Sequence, residues 1–310
     1  MMRDAVVTAP PTKRRSSAMV LAGRVMRDPL ALLSVVVLLV VLAAALFPDF
    51  IQTHSPTRLS TNRLAEPHVG NLMGTDQFGR DVFSRAVAGA QVSLVVGVVT
   101  VLLAVAIGVP LGAIAGFASP GPIDTALMRV MDILLAFPPI ILAIAVIAAL
   151  GTEEIVIGPF EVPHIAKLMF VIGLLYSPQV ARVVRSAVLV EKAEQYVMAD
   201  RALGIGRIRI LFLGILRNCL SPILVQGTLL VANAIIAEAS LSFLGLGIQP
   251  PQPSWGVMLS DSKTYVQSGE WWLTVFPGAL IFLTVCALNV LGDSLRDALD
   301  PRESSVGRAG

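Results

Sequence analysis

Six stretches of this sequence are apolar over nearly the thickness of a lipid bilayer, and polar runs separate them. A spanning helix needs about 20 mostly apolar residues, because the hydrocarbon core is about 30 Å thick and a helix rises 1.5 Å per residue. The stretches are Leu30–Phe47, Val92–Gly116, Ala126–Leu150, Ile165–Val190, Cys219–Leu246 and Trp272–Leu291. Of the 310 residues, 14% are charged, against roughly 25% in a soluble domain. The chain is therefore expected to be all-α, a polytopic membrane protein with six transmembrane helices and lipid as its main solvent. A net charge of +2 is too small to point to nucleic acid.

Positive charge sets the expected orientation. Lys13, Arg14, Arg15, Arg24 and Arg27 precede the first span; Lys192, Arg201, Arg207, Arg209 and Arg217 follow the fourth; Arg296, Arg302 and Arg308 follow the sixth. Six spans put all three clusters on one side, which the positive-inside rule makes cytoplasmic, with both termini. The chain then divides into a tail (1–29), a first helix (30–47), an extracytoplasmic segment (48–91), a five-helix core (92–292) with a cytoplasmic loop at 191–217, and a second tail (293–310). Arg58, Arg63, Arg80 and Arg85 blur the rule outside, where Asp49, Glu66, Asp76 and Asp81 balance them. The first span, with a basic start and Ala43–Ala45 at its end, also has the look of a secretory signal. Its core is long for one, so an uncleaved helix is expected. Residues 1–20 lack periodicity and are expected to be disordered. No internal repeat is visible.

The loop after the fourth span reads "EQYVMADRALGIGRIRILFLGILRN", Glu194–Asn218. Met198, Ala202, Ile205 and Ile208 fall at helical spacing and predict one apolar stripe, with Asp200, Gly204 and Arg207 opposite. Gly204 and Gly206 are costly inside a helix and predict its end, with Gly204 in a left-handed cap. The periodicity fits a helix lying on lipid as well as one docking to a partner.

These residues resemble the EAA loop of ABC-transporter membrane subunits, in the form found in peptide permeases. The match lies at Tyr196, Val197, Ala199, Arg201, Ala202, Leu203, Gly204, Ile215, Leu216 and Asn218. The sequence departs from that pattern at Asp200, where the branch has Ala, at Gly214 for His, and at Arg217 for Pro. The missing proline predicts a fifth helix that starts without a kink. "HVGNLMGTDQFGRDVFSRAVAGAQVSL" (His68–Leu94), "EASLSFLGLGIQPPQPSWGVML" (Glu238–Leu259) and "NVLGDSLRDALDPR" (Asn289–Arg302) are similar to C-type subunits of dipeptide, oligopeptide and nickel permeases. The resemblance implies the type I importer fold in a bacterial inner membrane. It implies a B-type permease partner, one or two ATPase subunits that carry ATP and Mg, and an extracytoplasmic binding protein. It assigns ATPase coupling to Glu194, Tyr196, Ala199, Asp200, Arg201, Gly204 and Ile208.

Other residues stand out singly. Glu238 lies in a span close to Asn233 in sequence, and an ionisable group there is either functional or held by structural hydrogen bonds; the structural reading is preferred. Pro138 and Pro178 fall in the third and fourth spans, where they bend helices for rocking or for packing. With Asn233 and Glu238 they form the candidate gate or pathway set. Arg129 and Asp132 are spaced to pair along one helix. Asp76, Arg80, Asp81 and Arg85 either brace the outer mouth or form a solvated turn, with Asp81 able to cap the next helix. The proline-rich "GLGIQPPQPSWG" is expected to be a structured outer loop; contact with a binding protein, or lining of the outer gate, is the alternative. Trp255, Trp271 and Trp272 suit an aromatic belt. Cys219 and Cys286 suit small buried hydrophobes.

The dipeptide Gly-Lys never occurs, so the sequence holds no P-loop. No catalytic group, cofactor or metal is expected in this chain. A secondary transporter would need repeated halves with broken helices. A membrane hydrolase would need a base deep in a span, and His54, His68 and His164 lie elsewhere. The expected function is alternating access in an ATP-driven importer of di- or oligopeptides, with nickel chelates or another bulky solute as alternative cargo.

Overall fold

The computed structural model describes residues 28–151, 153–157 and 160–299. The basic residues at 13–27, Arg302 and Arg308, and the disorder expected for residues 1–20, lie outside them.

Helix α1 (Pro29–Leu46) begins beneath Asp28, whose carboxylate accepts the Leu30 N–H at 2.9 Å, with Pro29 in the first turn where its missing N–H costs nothing. Helix α2 (Val82–Ala118) starts beneath Asp81, which accepts the Ser84 N–H at 2.8 Å. It begins ten residues before the apolar stretch Val92–Gly116, because Ser84, Arg85 and Gly89 in its first turns lower the local hydropathy. Its 37 residues reach about 55 Å, well beyond the hydrocarbon core.

The third span is not one helix. Helix α3 (Pro122–Leu135) and helix α4 (Pro139–Leu150) meet at 86°. Pro138 and Pro139 supply no N–H, and Phe137 before them is pushed out of the helical region. Pro138 thus breaks the span rather than bending it. Asp132 does not take Arg129 as its partner; it pairs across to Arg182 at 2.5 Å. A small hairpin, β1 (Ile155–Ile157) and β2 (Phe160–Val162), leads into helix α5 (His164–Glu191). Inside α5, Pro178 cannot donate to the Leu174 carbonyl, and the Ser177 hydroxyl donates to it instead at 2.8 Å.

Helix α6 (Gln195–Ala202) follows. The chain then runs through Arg207–Arg209, a wide π turn at Ile210–Ile215, and Leu216–Asn218. Helix α7 (Leu220–Phe243) starts only after Cys219 has left helical geometry (φ −82°, ψ 1°). The smooth start expected from the missing proline is therefore not found. Helices α8 (Trp255–Ser262) and α9 (Trp272–Leu299) complete the bundle.

In lipid, helices associate through close packing more than through hydrophobicity. The seam between α2 and α5 shows this. Gly108, Gly112 and Gly116 lie a turn apart, facing the main-chain carbonyls of Ser177, Ala181 and Arg185. A Cβ at Gly108 would sit 2.6 Å from the Ser177 oxygen, and one at Gly116 2.9 Å from that of Arg185. Helix α7 closes on α2 at Gly97, against Ile235, and α9 closes on α7 at Gly292, against Leu229. Helix α1 leans on α9 and α2 from outside. Lys192 Nζ donates to the Phe117 and Ser119 carbonyls, placing the loop after α5 beside the end of α2. Residues 52–81 form a strap at the opposite end, together with α8.

Candidate functional site

At the loop end, α6 is fixed to the bundle by few groups. Val197 is fully buried. Tyr196 donates its hydroxyl proton to Glu191 at 2.8 Å, and Asn218 Nδ2 donates to both at 3.1 Å. Burial, then the Glu191 carboxylate, push the Tyr196 pKa up to about 12, so it remains a donor. Gly204 has φ 78°, as its left-handed cap requires, and nothing lies within 4 Å of an added Cβ. The Ile205 N–H closes the turn on the Asp200 carbonyl at 3.0 Å.

The predicted stripe takes a different part. Met198, Ala202 and Ile208 are exposed, and only Ile205 is partly covered. The anchors are Tyr196 and Val197, because the loop leaves the helical path at Leu203. Glu194, Ala199 and Arg201 are exposed as well, and Asp200 is half-buried. A cleft of about 780 Å³ lies beside α6, rimmed by Lys192, Arg201 and Arg207 and floored by Phe117, Ile210 and Leu211. Burial and then the neighbouring Arg201 charge lower the Lys192 pKa. This end presents apolar and cationic groups to whatever covers it.

The strap end is built in the opposite way. Arg80 Nε donates to Asp76 at 2.6 Å, and the guanidinium groups of Arg80 and Arg85 reach Asp261 of α8 at 3.2 and 3.3 Å. Burial raises the Asp261 pKa, while Arg85 and Arg80 pull it down. Asp81 caps α2 and also accepts from Asn71 Nδ2 at 2.8 Å and the Thr53 hydroxyl at 3.2 Å. The four outer-segment residues are all buried, so they are no solvated turn. Trp255 and Trp272 are also buried, donating their indole N–H to the Ala86 and Thr75 carbonyls at 3.0 and 3.2 Å. They are core residues here, which leaves Trp271 as the exposed one of the three tryptophans. Cys286 is exposed on α9, unlike the buried Cys219.

Between these ends, Glu238 is fully buried and accepts from three hydroxyls: Ser242 at 2.7 Å, Ser254 at 2.9 Å and Ser93 at 3.3 Å. Each serine in turn accepts a backbone N–H, from Ile248, Val257 and Trp255 respectively. The carboxylate thus joins α7, α8 and α2. Asn233 is not part of this hub. Its side chain is exposed on another face of α7, and its carbonyl accepts from the Tyr176 hydroxyl at 3.2 Å. Pro178 is buried in α5, whereas Pro138 sits at the α3–α4 break. Sequence reasoning missed Glu191, Asp261 and the three serines. Glu191, Ser93, Ser254 and Asp261 act across a break or from a distant segment, where periodicity carries no signal; Ser242, four residues from Glu238 on α7, lay within reach of helical spacing.

Long apolar helices, one pair of them bent by 86°, with polar segments at both ends, are the architecture of a multi-pass membrane protein. The chain belongs to the family of binding-protein-dependent transport system inner membrane components, whose sequence pattern matches residues 108–305. It is thus an inner-membrane ABC-transporter permease subunit of the type I importer architecture. Over 272 residues it is 38% identical to the di/tripeptide transport system permease protein DppC of Pseudomonas aeruginosa, covering 86% of each chain. It is 41% identical over 280 residues to the dipeptide transport system permease protein DppC of Alkalihalophilus pseudofirmus, covering 90% of this chain and 88% of that one. A putative peptide transport system permease protein of Brucella abortus is 40% identical over 289 residues, covering 93% of both.

Proposed function

We propose that this chain is one of two different membrane subunits of an ATP-driven peptide importer, with its α6 loop seated on an ATPase subunit in the cytoplasm. The observation that carries the reading is the loop itself: a short helix stopped by a left-handed glycine, with Met198, Leu203 and Ile208 at 57%, 79% and 76% exposure. Exposed apolar groups ringed by Lys192, Arg201 and Arg207 suit a protein groove bearing acidic groups. The names of the similar permeases support a peptide cargo. The basic residues of the loop support a cytoplasmic position for it, with the strap outside.

In this mechanism a binding protein delivers the peptide at the strap end. ATP closes the ATPase subunits, which push α6. Because Tyr196, Glu191 and Asn218 tie α6 to the end of α5 and to the turn that precedes α7, that push reaches both helices. Reporter fusions after Thr57 and after Gly206 are expected to report opposite sides of the membrane. Arg201→Glu is expected to leave the chain inserted and paired with its permease partner, while the ATPase is lost on purification and uptake stops. An Arg201→Glu transporter that keeps its ATPase and transports at the parental rate would return the loop to the lipid-surface reading.

A further inference from the structure

Two exposed helix faces in this molecule have opposite chemistry. The outward face of α1 is Leu30, Leu33, Val36, Leu39, Val40 and Leu46, which is what a lipid-facing surface requires. On α7, Gln226, Asn233 and Ser240 stand seven residues apart. A straight helix drifts about 20° per seven residues, so the three lie within about 40° of one another along roughly 21 Å of the bilayer. Asn233 is exposed, and Gln226 and Ser240 are half-exposed; the Ser240 hydroxyl donates to the Ile236 carbonyl at 2.7 Å and so faces outward as an acceptor. The neighbouring face, with Leu230, Ala234, Ala237 and Leu241, is buried in the core.

The polar face continues past the end of the regular stripe. Pro222, one turn before Gln226, lines a pocket of about 570 Å³ with Arg182 and Ser186 of α5 and Asn218 of the loop. The polar track thus runs from the loop end to within one turn of the end of α7. An amide against hydrocarbon gives up its hydrogen bonds to water without replacement. A tightly packed helix seam is made of small residues, as at Gly108, Gly112 and Gly116. The Gln226–Asn233–Ser240 face suits neither setting and needs water or a polar solute in front of it.

We infer that this face of α7, from Asn218 through Gln226 and Asn233 to Ser240, lines the aqueous translocation path and offers amide and hydroxyl groups to the main chain of a peptide in transit. The inference rests on the importer reading above. A primary amide donates to a peptide carbonyl and accepts from a peptide N–H whatever the side chains are. A track of such groups passes many peptide sequences with little preference among them. Glu238, turned inward and held by three serines, takes no part in it.

The test uses the assembled transporter in membranes, with Cys219→Ala and Cys286→Ala as background, since Cys286 is exposed. Single cysteines replace Gln226, Asn233, Ser240 and, as lipid control, Leu39. Ile236→Cys, 39% exposed beside Asn233, stands in if Asn233→Cys fails to assemble. A charged, water-soluble methanethiosulfonate reagent is expected to label the α7 positions at least about tenfold faster than Leu39→Cys, because only a thiolate reacts and a thiol in lipid does not ionise. Saturating dipeptide is expected to slow labelling at 233. Intact peptide uptake with labelling no faster than the control at all three positions would overturn the path assignment and make this face a partner seam. Fast labelling that dipeptide leaves unchanged, in a transporter that imports dipeptide, overturns the contact with solute. Fast labelling in a transporter that imports no peptide keeps the wet path and sinks the peptide reading instead.

Discussion

The strap end and the loop end of this bundle treat their charges differently. At the strap, Arg80 and Arg85 lie between Asp76 and Asp261, and buried tryptophans fill the space around them. At the loop, Arg201 and Arg207 stand exposed beside uncovered Met198 and Ile208, and the space a Cβ at Gly204 would enter is open. A buried ion pair whose partner is removed leaves a charge in low dielectric, so the strap resists change. An exposed cation loses little when its neighbours change. The strap end therefore satisfies its charges within the chain, and the loop end leaves its own uncovered.

Substitutions should separate the two ends by what they damage. The largest loss of stability is expected from Arg85→Met, which leaves the carboxylates of Asp76 and Asp261 sharing Arg80 in place of two guanidinium groups. Breaking a buried pair costs about 3–5 kcal/mol, read as a collapse in membrane yield and in the unfolding temperature of what survives. Gly112→Val comes next. Its side chain would press on the Ala181 main chain, and overpacking of this kind costs about 1–3 kcal/mol. A variant as stable as the parent would mean that the α2–α5 seam is looser than described.

Glu238→Gln should be milder. With its Nε2 toward Ser93, the amide keeps an acceptor for Ser242 and Ser254, so the loss is near one hydrogen bond, about 1 kcal/mol. Assembly and most transport should persist; an assembled complex without transport would show that the charge itself is needed. The smallest effect on global unfolding belongs to Gly204→Val, because its strain falls on an exposed turn outside the bundle. A left-handed backbone costs a β-branched residue about 1–2 kcal/mol, confined to a turn that supports nothing else. The unfolding temperature should hold while solute-stimulated ATP hydrolysis falls. If instead the protein unfolds and coupling survives, the contrast between the ends fails.

Much of this was legible in the sequence, for reasons that differ by element. Five spans follow from hydropathy, since twenty apolar residues have few other uses, and the third expected span is the bent pair. The left-handed Gly204 and the Asp81 cap follow from local backbone chemistry, which depends on a few neighbours. The 86° break needed both prolines to be weighed as a terminus, although the apolar run continues through them. Asp261, 181 residues from Arg80, could not be found by spacing. Trp255 and Trp272 pattern like belt residues, and only the fold shows that Gly89 and Gly74 clear room to bury them. Polar residues in the first turns of α2 hid its start for the same reason that makes them useful: they face partners rather than lipid.

The break at Pro138 bears on how the protein is made. Helix α4 has 12 residues and is about 18 Å long, short of the roughly 30 Å that a span must cover. It is apolar enough to leave the insertion channel, yet too short to hold its depth there alone. Its wall is α5, which is synthesised later, and Lys167 on α5 donates to the Gly151 carbonyl at its far end. The third segment to emerge is thus among the last to settle. Until α5 has been made, α4 lacks the surface it packs on.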